Sequence, residues 1–69
     1  MASAFSNNGS NGINIIFHDT NGTRIGDWMN YTGPLPDVGD EVCVRTGGQR
    51  GRVINRTFYQ HTVFLDLDV

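Results

Sequence analysis

Apolar residues recur along this chain in short stretches with a period of two, and the spacing supports no helix longer than one turn. Residues 62–69 alternate most regularly, with Val63, Leu65, Leu67 and Val69 on one side and Asp66 and Asp68 on the other. Residues 41–46 alternate in the same way, with Val42 and Val44 inward against Glu41, Cys43 and Arg45. Residues 52–58 read as a further strand, with Val53 and Ile54 at its buried start. Residues 13–18 form a β-branched apolar run, followed by Asn21 and Gly22 between two threonines. Asn-Gly is the strongest short hairpin signal, because both central residues of a type I′ turn need positive φ. A second strand through Ile25, Trp28 and Met29 completes the hairpin, giving five strands in all.

Turn chemistry separates these stretches. Gly33, Pro34 and Pro36 break the strand after Tyr31 into an extended connector. Val38, Gly39 and Asp40 form a turn that launches the next strand. Residues 47–51 contain three glycines, a second turn, and Tyr59, Gln60 and His61 a third. Many short strands joined by tight turns predict an all-β fold, a five-stranded SH3-like small barrel.

The first hairpin is unusual in being apolar on both sides. A two-residue loop at Asn21 and Gly22 pairs Asp19 with Arg24 and Ile15 with Trp28. One face then holds Ile13, Ile15, Phe17 and Trp28, and the other Ile16, His18, Ile25 and Met29. A four-residue loop is the alternative register. A hairpin with one wet face alternates apolar with polar. This one therefore coils into a barrel or turns its outer face to another chain.

With 69 residues the chain makes one small domain with a thin core. Residues 1–12 are Ser, Asn and Gly around a lone Phe5 and read as a flexible tail, leaving 13–69 as the folded unit. No apolar segment approaches the roughly 20 residues of a membrane span, and the N-terminus lacks a signal-peptide pattern. The expectation is a cytoplasmic, bacterial or phage-like protein without a membrane partner. Four asparagines head an Asn-x-Ser/Thr pattern, which reads here as turn and edge-strand composition.

The net charge of −2 is unevenly spread. Arg45, Arg50, Arg52 and Arg56 lie in an acid-free window from 45 to 61, while all seven acids lie outside it with Arg24 alone. There is no lysine, and arginine suits forked or stacked recognition. On a regular strand Arg52 and Arg56 share a face. With Arg45, Arg50 and Tyr59 they form a candidate single-stranded nucleic-acid surface. Cross-strand pairing with Asp66, Asp68 and Glu41 is the competing and favoured reading of the same arginines.

Chemistry of other kinds finds little footing. The single cysteine, Cys43, excludes an internal disulfide and reads as a small half-buried hydrophobe. His18 and His61 with Cys43 match no metal-ligand spacing, so neither metal nor other cofactor is expected. Asp66 and Asp68 read as a solvated strand face. The glycines of 47–51 lack the lysine and following helix of a phosphate loop. The chain is not expected to be an enzyme.

Val42-x-Val44, Gly48-x-x-Gly51-x-Val53 and Val63-x-Leu65, opened by the turn at Val38 to Asp40, resemble a KOW-type segment over residues 38–68. The resemblance implies an SH3-like barrel and binding of RNA or protein. The lack of lysine and the acidic balance depart from that family's pattern. The layout over 13–69 is also similar to small bacterial and phage β-proteins, which implies a fold and no activity. The leading functional expectation is a protein-interaction module that self-associates through Ile25, Trp28, Met29 and Tyr31, since aromatic residues anchor interfaces and small domains gain a core by pairing.

Overall fold

The computed structural model describes residues 12–45 and 47–69. Five strands form one sheet: β1 (Ile13–His18), β2 (Arg24–Tyr31), β3 (Glu41–Cys43), β4 (Arg50–Tyr59) and β5 (Thr62–Asp68). Their spatial order is β2-β1-β5-β4-β3, antiparallel throughout except for the parallel pair β1 and β5. The sheet curls into a half-barrel of the small SH3-like kind, with no helix among the described residues. The tail expected over residues 1–12 lies, apart from Gly12, outside the described residues.

The core fills the concave side. Ile15 and Phe17 of β1, Val42 of β3 with Val44 after it, Val53 of β4, and Val63, Leu65 and Leu67 of β5 are all buried. Ile13, Ile25, Trp28, Tyr31 and Leu35 pack around them. The two central strands supply most of the cluster, because Ile15 lies beside Val63 and Phe17 beside Leu65 in the parallel ladder. Val69, expected inward, is exposed beyond the last ladder pair.

Three irregularities set which residues face the core. At the first hairpin Asp19 accepts from Gly22 N–H and donates to the Thr23 carbonyl, enclosing a three-residue loop. Only Gly22 in that loop has positive φ, so the turn is not type I′ but a tight turn completed by a left-handed glycine. The Asp19 carboxylate fixes it, accepting from the N–H groups of Asn21 and Thr23. His18 consequently pairs with Arg24, and a bulge follows Phe17. Ile25 turns to the core instead of the outer face, while the central pairing of Ile15 with Trp28 is as the sequence suggests. A second bulge at Asn30, with φ of 54°, lies between the Tyr31 and Trp28 pairings. A third interrupts β4 between Val53 and Asn55 and leaves Ile54 47% exposed, not buried as its position in the apolar run suggests.

The turn before β3 follows its sequence signal. Asp40 N–H donates to the Asp37 carbonyl, and Gly39 has φ of 100°, the geometry a type II turn requires of its third residue. Gly39 N–H and the Asp40 carbonyl then bond to Val53, docking the turn on β4. An added Cβ at Gly39 meets nothing within 4 Å, so Gly39→Ala isolates the backbone strain. Urea denaturation of that variant is expected to show a loss of about 1–2 kcal/mol. An unchanged midpoint would mean that the turn relaxes freely.

Candidate functional site

The bulge at Ile54 divides the arginine cluster. Before it, Arg52 pairs with Asp68 on the convex face; after it, Arg56 pairs with the buried Leu65 and so lies on the concave side. The two do not share a face. Arg56 is a clamp: its Nη1 donates to the Pro36 carbonyl at 2.9 Å and lies 3.5 Å from Asp37 Oδ1, and its guanidinium sits 5.2 Å from the Phe58 ring centre. It holds the connector against β4. Arg50 lies 3.9 Å from Glu41, between exposed side chains, and Arg24 pairs with Asp27. Arg45 and Arg52 are exposed and form no ion pair among the described residues. Tyr59 is exposed at the far end of β4. The five residues of the candidate nucleic-acid surface are thus distributed over two faces and two ends of the sheet.

The aromatic hairpin residues are also divided. Trp28 packs edge-on against Phe17, with ring centres 4.9 Å apart, and 5.1 Å from Tyr31. Its indole N–H donates to the Val44 carbonyl at 2.8 Å, and the Tyr31 hydroxyl donates to the Pro34 carbonyl at 2.7 Å. Both polar groups are therefore satisfied while the rings line a groove of about 380 Å³. Pro34, Leu35 and Pro36 form one wall of this groove, and Asp40 to Cys43 form the other. Met29, next to Trp28 on the strand, points to the convex side and is 50% exposed. Ile25 is packed against the core.

The convex face carries an apolar strip. Ile16 of β1 lies beside Phe64 of β5, both half-buried, and the His18 ring stacks on Phe64 at 5.9 Å. Asp66 completes this row, 3.9 Å from His18 Nδ1 and accepting from Asn55 Nδ2 at 3.3 Å. Phe64 was not singled out by its chemistry. Its signal lay in the unbroken run Val63, Phe64, Leu65, which marks a strand with apolar side chains on both faces.

The remaining chemistry-bearing groups are separated. Cys43 is exposed, contrary to the half-buried position its alternation suggests, and its thiol donates to the Arg45 carbonyl. Among the described residues no three His, Cys, Asp or Glu side chains gather as metal ligands, and no helix is long and apolar enough to cross a membrane. In comparisons with known proteins, the chain matches no family model, no curated protein and no solved structure.

Proposed function

We propose that this domain is a non-catalytic protein-interaction module that self-associates through the convex face of its sheet. The carrying observation is Ile16 and Phe64 side by side, with Met29 exposed on the same face beyond the Asp27 that pairs with Ile16, on a face that no second layer covers among the described residues. Stable domains bury each apolar sheet face against another layer. Curling satisfies the concave side here and leaves the convex side with large apolar groups. Two copies stacked by these faces form a two-layer sandwich and double a core that contains eight buried apolar side chains among the described residues. Of the hairpin residues suggested by the sequence, Met29 belongs to this surface.

Sedimentation equilibrium tests the reading. The wild-type chain is expected to dimerise, and the pair Met29→Lys with Phe64→Thr to weaken the dimer by at least about tenfold, as truncation of central apolar contacts does. A wild-type chain that stays monomeric at the highest soluble concentration removes the proposal. The KOW-like segment fits an SH3-like barrel that binds RNA or protein, and the surface supports the protein branch. Arg56 is tied to the connector, Arg50 faces Glu41, and the remaining arginines offer too few phosphate contacts for more than weak, salt-sensitive binding.

A further inference from the structure

The sheet ends in two edges, β2 and β3, that are not paired with each other. They run antiparallel, and β2 is tied to the other edge through Val44, just after β3. There the Cα of Gly26 abuts the Val44 side chain so closely that an added Cβ has no room, and Trp28 donates to the Val44 carbonyl. Toward the C-terminal end of β2 Tyr31 and the proline connector lie between the edges, and the wedge so formed is the groove lined by Trp28, Leu35, Glu41 and Cys43. The groove is thus the open seam of the half-barrel.

One side of the seam is a free strand edge. Val53 N–H donates to the Asp40 carbonyl, Val44 N–H donates to the Gln49 carbonyl, and Val42 pairs with Gly51. The Asp40 carbonyl, Val42 and the Val44 N–H therefore aim at β4, while the Val44 carbonyl, past the end of β3, turns to the Trp28 indole. By strand alternation Glu41 and Cys43 aim their backbone groups away from β4, into the seam. Their side chains are exposed, whereas Val42 between them points into the core. The β2 edge is less regular, since the bulge at Asn30 interrupts it.

Charge selects the occupant. The groove is lined by Asp40 and Glu41 and by no arginine, and the nearby Asp37 is already paired with Arg56. The Glu41 contact to Arg50, at 3.9 Å between side chains more than 60% exposed, is a screened surface pair that a better-placed cation displaces. We propose that the seam docks a short extended segment of another protein, added as a strand to the free edge of β3. Its outward side chains are basic and lie beside Glu41; its inward side chains are apolar and meet Trp28 and Leu35. Main-chain bonds to Glu41 and Cys43 supply the affinity, and the period-two pattern of charge and apolar groups supplies the specificity. This docking site is separate from the convex face and does not depend on self-association.

The test uses a capped, fluorescently labelled hexapeptide of alternating Arg and Val, with an alternating Glu and Val peptide as its charge-inverted control. Anisotropy titration is expected to show saturable binding of the Arg peptide and none of the Glu peptide at about 1 mM. Glu41→Lys is expected to reverse that preference. Cys43→Pro removes the N–H that faces the seam together with the thiol contact to the Arg45 carbonyl, a substitution that edge strands tolerate, and is expected to weaken binding about three- to tenfold. Cys43→Ser keeps the N–H and is expected to bind as wild type. Should Cys43→Pro unfold, an Arg/Val peptide N-methylated at alternate residues makes the same test from the ligand side, with the same loss expected. Amide shifts on binding are expected at Glu41, Cys43 and the Trp28 indole. Equal binding of both peptides, no saturation with either, shifts confined to the convex face, or pairing of two β3 edges between copies would each overturn the proposal. Repeating the titration on Met29→Lys with Phe64→Thr separates the two surfaces, because this variant is expected to bind the peptide with unchanged affinity.

Discussion

Phe17→Ala is expected to leave the chain unfolded at 25 °C. Phe17 is fully buried near the C-terminal end of β1, flanked in the sheet by Gly26 and Leu65 and in edge contact with Trp28. Removing a buried aromatic ring costs about 3–5 kcal/mol in lost transfer energy and residual cavity. A core this small rarely supplies more than about 3–5 kcal/mol of net stability, so one substitution cancels it. Phe17→Leu keeps most of the volume and is expected to cost about 1–1.5 kcal/mol. Phe58→Ala is the informative control: the same side chain is 57% exposed on β4, and its loss removes only the weak stacking with Arg56, about 0.5–1 kcal/mol. Circular dichroism melts of the three variants should rank in that order. They should be run at several protein concentrations, because a dimer's melting temperature rises with concentration. A Phe17→Ala protein that melts cooperatively near the wild-type temperature would show that the concave cluster is not what holds the sheet.

Strand existence was legible in the sequence wherever one face is buried. Val63, Leu65 and Leu67 recur at every second position, with Asp66 and Asp68 on the opposite parity, and the structure buries all three. The turn at Gly39 was legible because its conformation is a local property that few residues satisfy. The barrel edges and bulges were not. A bulge at Ile54 depends on the partner strand's register, and it reverses the face of every residue after it. Arg52 and Arg56 share parity in the sequence and yet lie on opposite sides of the sheet. The first hairpin lies between these cases. Asn-Gly marked its place correctly, but the Asp19 carboxylate, two residues earlier, set the loop length by capturing two backbone donors. The parallel pairing of β1 with β5 joins residues nearly fifty positions apart, and no local pattern encodes it.

The candidate surfaces follow the same division. Trp28, Met29 and Tyr31 stood out by composition, which says that a side chain anchors something without saying what. Packing then sends Trp28 and Tyr31 to the groove and Met29 to the convex face. The groove's other wall comes from the connector, which the Arg56 clamp holds in place through the Pro36 carbonyl. A segment whose only sequence signal was to end a strand thereby becomes one wall of the groove.

Trp28→Ala is expected to open the seam and to cost about 3 kcal/mol, the low end for a large aromatic because this ring is only half-buried. The ring contributes two separable things. It packs on Phe17 and Tyr31, and its N–H ties β2 to the segment after β3 through the Val44 carbonyl. Trp28→Phe keeps a ring and removes the donor, leaving that carbonyl to water, and is expected to cost about 1–1.5 kcal/mol. The free energy should be lost unevenly over the fold. β3 is three residues long and paired only with β4, so the indole is one of few restraints on its far end. Amide exchange at Val44 should accelerate in both variants, and most in Trp28→Ala, while Leu65 and Leu67 exchange at the rate set by global stability. If Val44 keeps the protection of the central strands in Trp28→Ala, the two edges are held together by something other than this side chain. If Trp28→Phe costs as much as Trp28→Ala, the hydrogen bond carries the closure and the ring does not.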